Sequence, residues 1–129
     1  MGGIHHIILC VKDLERSRAA YGRLMPELGF GKRDDYGGTT GWTAERSRLW
    51  IRAEDPKFAA ELFSKDRVGL CEVAFEAESR AAVDRVAREV EGWGFRLLHA
   101  AAEYSYSPGY YAVFFSDPDG IKLEVAHVP

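Results

Sequence analysis

No run of apolar residues in this chain approaches the ~18 to 20 that a bilayer-spanning helix needs. The opening stretch, MGGIHHIILCV, has neither the basic segment nor the cleavage site of a secretory leader. A cytoplasmic protein is the expectation. Basic charge is also scarce, since 17 Lys and Arg face 20 Asp and Glu for a net charge of −3. Binding to a nucleic-acid backbone calls for a clustered basic surface, so neither DNA nor RNA is expected as a partner. Cysteine occurs only at Cys10 and Cys71, and neither belongs to a CxxC pair of the kind that holds zinc or shuttles electrons. Both sit in apolar, strand-like runs and are expected to be buried free thiols.

What remains has the balance of a globular chain, 47% hydrophobic and 29% charged. A length of 129 residues allows a real core but is short for two ordinary independent domains, so a single domain over 1–129 is expected. One plan is written out twice within it. Residues 3–30, GIHHIILCVKDLERSRAAYGRLMPELGF, and residues 69–95, GLCEVAFEAESRAAVDRVAREVEGWGF, each pass from alternating apolar positions through a polar turn into a charged amphipathic stretch. Asp13 and Ser79 are placed to cap the two helices. Their apolar stripes are Leu14, Ala19 or Ala20, Tyr21, Leu24 and Leu28 in the first, and Ala82, Val83, Val86, Ala87 and Val90 in the second. Gly29 and Gly94 should end them.

Each helix is followed by a strand candidate, at 30–33 and 95–100, and then by a hairpin. The first hairpin, 41–54, turns at Glu45-Arg46-Ser47; the second, 110–128, turns at Asp117-Pro118-Asp119-Gly120. The halves are therefore module 1 at 3–54 and module 2 at 68–129. Between them a helical connector is expected at 55–67, from Pro56 and the spacing of Phe58, Ala59, Leu62 and Phe63. A half of this kind cannot cover the open face of its own small sheet, so the expected fold is α+β. Two βαβββ modules would form a curved mixed sheet around a concave cup, with the helices outside. A small ligand would bind in that cup.

Strand side chains alternate, so parity separates a packed face from a mixed one. Ile7, Leu9 and Val11 oppose His6, Ile8 and Cys10; Val73, Phe75 and Ala77 oppose Glu72, Ala74 and Glu76; Ile121, Leu123 and Val125 oppose Lys122, Glu124 and Ala126. Superposing the repeats makes His6 and Glu72 equivalent. An imidazole and two carboxylates, His6, Glu72 and Glu124, thus fall on mixed faces that could line one concavity as metal ligands. Glu124 interrupts a strand that otherwise wants burial, and an unpaired buried carboxylate costs several kcal/mol, so it demands a partner. The plainer readings are a solvated rim carboxylate for each glutamate and a hydrogen-bonded packing residue for His6. His99 and His127, which have no partner at a recognised spacing, read as structural or surface residues.

HHIILCVKDLERSRAAYGRLMPELGF resembles the opening module of the vicinal oxygen chelate superfamily, which includes glyoxalase I, extradiol dioxygenases, fosfomycin-resistance enzymes and bleomycin-binding proteins. YYAVFFSDPDGIKLEVAH resembles its closing hairpin. The resemblance implies paired modules, a homodimer and a divalent metal (Zn, Ni, Mn, Fe or Mg) in the cup. His6 matches the family's first-strand histidine and Glu124 its final-strand glutamate. Glu72 stands where many members carry histidine. A fourth ligand would come from residues 48–52, where parity allows Trp50 or Arg52, and neither ordinarily binds metal.

The resemblance implies Lewis-acid polarisation of an oxygen-chelating substrate by a lyase or isomerase, with Glu72 or Glu124 as base. Extradiol dioxygenases pair two histidines with one carboxylate, the reverse of this set, so that reaction fits less well. The alternative is metal-free binding of the bleomycin-resistance type, an acidic and aromatic cup for a cationic ligand. Trp42, Trp50, Glu72, Glu76 and Glu124 could line it. The tyrosine-rich run 100–111 reads as a loop over the cup. The expected substrate contacts are Trp42, Trp50, Arg52, Tyr104, Tyr106 and Tyr110.

Overall fold

The computed structural model describes residues 2–129 and divides into two compact units, one ending at Leu62 and the other spanning Phe63–Pro129. The first contains β1 (His6–Val11), α1 (Leu14–Glu27), β2 (Lys32–Tyr36), β3 (Thr39–Thr43) and β4 (Arg48–Ala53). The second contains β5 (Glu72–Glu76), α2 (Arg80–Glu89), β6 (Arg96–Glu103), β7 (Tyr111–Ser116) and β8 (Lys122–His127). Their sheets have matching orders, β1-β4-β3-β2 and β5-β8-β7-β6. In each, the first and last strands of the module run parallel and the remaining pairs are antiparallel. The fold is α+β, built from two βαβββ modules.

Local chemistry starts and stops the helices where the sequence says it should. The Asp13 carboxylate accepts the Arg16 amide at 3.1 Å, and the Ser79 hydroxyl accepts the Ala82 amide at 3.1 Å. Gly29 and Gly94 take φ of 85° and 104°, a region that side chains make costly. The next residue still serves the helix. Phe30 N–H donates to Met25 O and Phe95 N–H to Val90 O, each at 3.0 Å, closing a Schellman-type turn. That is why β2 and β6 begin at Lys32 and Arg96, past the expected 30 and 95.

The packed faces are those that parity assigned. Leu9, Val11, Leu49 and Ile51 are buried with Tyr21, Leu24 and Met25 of α1 in the first unit. In the second, Val73, Phe75, Leu123, Val125 and Phe115 are buried with Val83 and Val86 of α2. Each such side chain contributes about 1.5 to 3 kcal/mol through loss of water contact. Arg18 ties α1 to the β2–β3 hairpin, donating to Thr40 Oγ1 at 2.6 Å and to Gly37 O at 2.9 Å. The β7–β8 turn is closed by the Asp117 carboxylate, which accepts the amides of Asp119 and Ile121 at 2.9 Å.

Two expectations need correction. Both cysteines are exposed, Cys10 on the mixed face of β1 and Cys71 just ahead of β5. Strand β1 buries only one of its two faces, and Cys10 lies on the other. Helix in the connector is confined to one 3-10 turn, Pro56–Phe58. Phe58, Leu62 and Phe63 remain 44%, 78% and 37% exposed, so no buried stripe rewards a longer helix there. Among the described residues, no helix is long and apolar enough to cross a membrane.

Candidate functional site

Register in the second unit gathers the chemistry. Glu72 of β5 lies opposite Lys122 of β8, Glu124 of β8 lies opposite Phe114 of β7, and Phe114 lies opposite His99 of β6. Paired residues on adjacent strands share a face. One face therefore carries, strand by strand, an acid, a lysine and a second acid, a phenyl ring and an imidazole. On the same face Ala112 and Ala126 are buried with Phe114, and Tyr104 and Tyr110 pack against them. A cavity of about 480 Å³ opens there, lined by Glu72, His99, Tyr104, Tyr106, Tyr110, Phe114, Lys122 and Glu124.

The aromatic walls are ordered against one another. Tyr104 and Tyr106 stack with centroids 5.5 Å apart; Tyr104 stands edge-on to Phe114 at 5.3 Å, and Tyr106 edge-on to Tyr110 at 5.1 Å. The His99 ring is edge-on to Phe114 at 5.9 Å. Tyr104, Tyr106 and Tyr110 are carried by the segment between β6 and β7, where Gly109 takes a φ of 76° to reverse the chain.

Glu124 is 3% exposed, and the Tyr110 hydroxyl donates to its two oxygens at 2.8 and 3.0 Å. Burial raises the Glu124 carboxyl above its ordinary range, the Tyr110 hydrogen bond pulls the other way, and Glu72 adds to the rise. Tyr110 itself is pushed up to about 12 by burial and by its carboxylate partner. One oxygen of Glu72 is shut from solvent without a hydrogen-bond donor, and the Lys122 ammonium lies 3.8 Å from it. That ammonium also stands 4.9 Å above the Phe114 ring.

Of the residues singled out from the sequence, Glu72, Glu124, Tyr104, Tyr106 and Tyr110 share this cavity. Trp42 belongs to the core of the first unit, 2% exposed with its ring 6.2 Å from Tyr21. Trp50 lies over Gly41 and beside Tyr36, with ring centroids 5.7 Å apart, and Arg52 is exposed on the same face. His6 also lies in the first unit. Arg48 can only donate, so His5 Nε2 accepts from it at 2.9 Å; His5 Nδ1 then carries a hydrogen and donates it to His6 Nδ1 at 2.8 Å. Glu76 is exposed and lines no part of the cavity.

The repeat resolves the choice between Trp50 and Arg52. Glu124 pairs with Ala74, two residues into β5, and Trp50 pairs with Ile8, two residues into β1. Trp50 is thus the counterpart of Glu124. Lys122, His99 and Phe114 were not among the expected site residues. Lys122 had a readable signal, since it flanks Glu124 on the mixed face of β8, whereas Phe114 meets Glu124 only through the register of β7 with β8. His99 did not, because register shifts on both sides of it break the alternation that parity needs.

A divalent metal asks for several free donors in one shell. Glu124 is engaged by Tyr110, Glu72 faces an ammonium, and the Nδ1 of His6 accepts from His5. Among the described residues, no three His, Cys, Asp or Glu side chains stand together as a ligand set. As placed, these donors form no shell for such an ion.

The model of the glyoxalase/bleomycin resistance protein/dioxygenase superfamily matches residues 3–125. The chain is 36% identical over 123 residues to the uncharacterized protein YqjT of Bacillus subtilis, covering 95% of this chain and 96% of that one. A crystal structure from Bacillus halodurans superposes with a TM-score of 0.84 at 28% identity, covering 98% of this chain and 96% of that one. A glyoxalase/bleomycin resistance protein from Albidiferax ferrireducens T118 shares the fold, with a TM-score of 0.80, 20% identity and 98% coverage of each chain. With a matched model spanning nearly the whole chain and two βαβββ modules of equal strand order, this protein belongs to the glyoxalase/bleomycin resistance protein/dioxygenase superfamily.

Proposed function

We propose that this protein binds or sequesters a small organic cation without a metal, in the cavity of its second module. The observation that carries the reading is the Glu124 carboxylate, buried beneath tyrosine and phenylalanine rings. A buried carboxylate lacks the solvation that water would give it, and an arriving cation relieves that cost. Aromatic faces add cation–π attraction, worth about 0.5 to 2 kcal/mol per good contact. A volume near 480 Å³ suits a ligand of drug-like size. Exposed, unpaired thiols at Cys10 and Cys71 support a reducing, cytoplasmic setting. Homodimeric assembly, common to the paired-module plan, is part of the proposal.

The competing reading is a metal-dependent lyase or isomerase using His6, Glu72 and Glu124. Against it, no three His, Cys, Asp or Glu side chains stand together among the described residues. Elemental analysis of protein purified without added metal separates the two. Stoichiometric Zn, Ni, Mn, Fe or Mg that disappears in both Glu124→Ala and His6→Ala would overturn the binding proposal. Calorimetric binding of benzyltrimethylammonium, lost in Glu124→Gln, supports it.

A further inference from the structure

We propose that Lys122 sets the charge this cavity accepts: by pairing with Glu72 it leaves one acid uncompensated, so the site selects monocations and turns away dications, divalent metal ions included. The inference rests on the cation-binding reading above and names the ligand class more narrowly.

Backbone register puts Lys122 and Glu72 side by side on adjacent parallel strands, with their side chains on the cavity face. The ammonium is 3.8 Å from Glu72 Oε2, an oxygen closed to solvent that receives no hydrogen bond. Lys122 is therefore what balances that charge. Its side chain, 23% exposed, also lies over Phe114, so the cavity already holds one cation on an aromatic face beside an acid. The arrangement shows in miniature what the site does with positive charge.

Two residues further along the same strand, Glu124 accepts the neutral Tyr110 hydroxyl, and Lys122 acts on it less than burial, Tyr110 and Glu72 do. The remaining polar groups of the lining, His99, Tyr104 and Tyr106, bring no acid. Two carboxylates against one ammonium leave a single negative charge. A monocation brings that sum to zero. A dication leaves an unmatched positive charge among rings and strands, where charge is weakly screened, with Lys122 repelling it at close range.

The test uses the full chain and a matched pair of probes, benzyltrimethylammonium with one charge and 1,4-bis(trimethylammoniomethyl)benzene with two, titrated by calorimetry. Mn²⁺ alone is followed in parallel by water-proton relaxation. The parent should prefer the monocation by about tenfold or more and leave Mn²⁺ unbound. In Lys122→Met the dication should gain about tenfold and Mn²⁺ binding should appear, whereas Lys122→Arg keeps the parental order. The double variant Glu72→Gln/Lys122→Met restores a net charge of one negative and should restore the monocation preference. It also carries the test if the single variant does not fold, because Glu124 is then its one unbalanced acid, as in the parent. An unchanged probe ratio in folded Lys122→Met, or a double variant that binds the dication as well as the monocation, overturns this inference and leaves the cation-binding reading standing. A parent that binds neither probe overturns both.

Discussion

The Tyr110 hydroxyl bridges the two oxygens of Glu124, at 2.8 and 3.0 Å, and is the hydrogen-bond donor that holds this acid inside the second module. Removing it in Tyr110→Phe leaves a buried carboxylate without that partner, which costs roughly 1 to 3 kcal/mol. Chemical denaturation at neutral pH should show that loss. The carbonyl groups and fold of β8 should be unaffected, because Tyr110 lies outside the strand ladder.

The same pair makes pH a reporter. Glu124 is raised above its ordinary 4.5, chiefly by burial, so the folded chain holds a proton that the unfolded chain has already released. Its contribution to stability is therefore full below the unfolded value and is lost as pH rises through the folded one. Cation binding runs the other way: it needs the charged form and should fade as pH falls through the raised midpoint. Affinity for benzyltrimethylammonium, measured against pH beside the Glu124 carboxyl ¹³C shift, should give one common midpoint. Tyr110→Phe should move that midpoint upward, since its hydrogen bond favours the ionised acid.

Tyr106 is 68% exposed yet stacks on Tyr104 and meets Tyr110 edge-on. A ring that the core does not need but the cavity uses should matter to ligand alone. Tyr106→Ala is expected to weaken cation binding by roughly 2- to 30-fold, the range of one cation–π contact. Its melting temperature should stay with the parent. Equal affinity in both proteins would remove Tyr106 from the site.

In the first module, a side chain at Gly41 would meet the Trp50 ring at 2.2 Å. The ring must leave its place over the strand if anything larger than hydrogen is present. Gly41→Ala should therefore destabilise by about 1 to 3 kcal/mol and shift tryptophan emission. An unchanged spectrum would show that the ring has no fixed seat there.

Helix α2 begins on Ser79, whose hydroxyl accepts the Ala82 amide. Ser79→Ala should lower stability by about 1 kcal/mol, and Ser79→Asp should recover it, because an aspartate also accepts that hydrogen and suits the positive end of the helix. Thermal melts of the three proteins decide it.

Much of the architecture was legible because it depends on local rules. Caps at Asp13 and Ser79, stops at Gly29 and Gly94, and the turn at Asp117 to Gly120 act over a few residues, and the alternation of β1 and β5 names the buried face without reference to any partner strand. The exposed cysteines and the short connector helix mark where that reasoning ends. A residue type favours burial only on average, whereas Cys10 sits on whichever face its neighbours leave open.

By itself the sequence determined the repeat, the order of elements in each module and the placing of Glu72 and Glu124 on a mixed face. Those follow from periodicity and from backbone conformations that one residue can impose. Only tertiary structure decided that Lys122 neutralises Glu72, that Tyr110 holds Glu124, that His99 joins the lining and that Trp42 does not. Strand register and bulges bring together side chains many residues apart, and one step of register exchanges a core residue for a cavity wall.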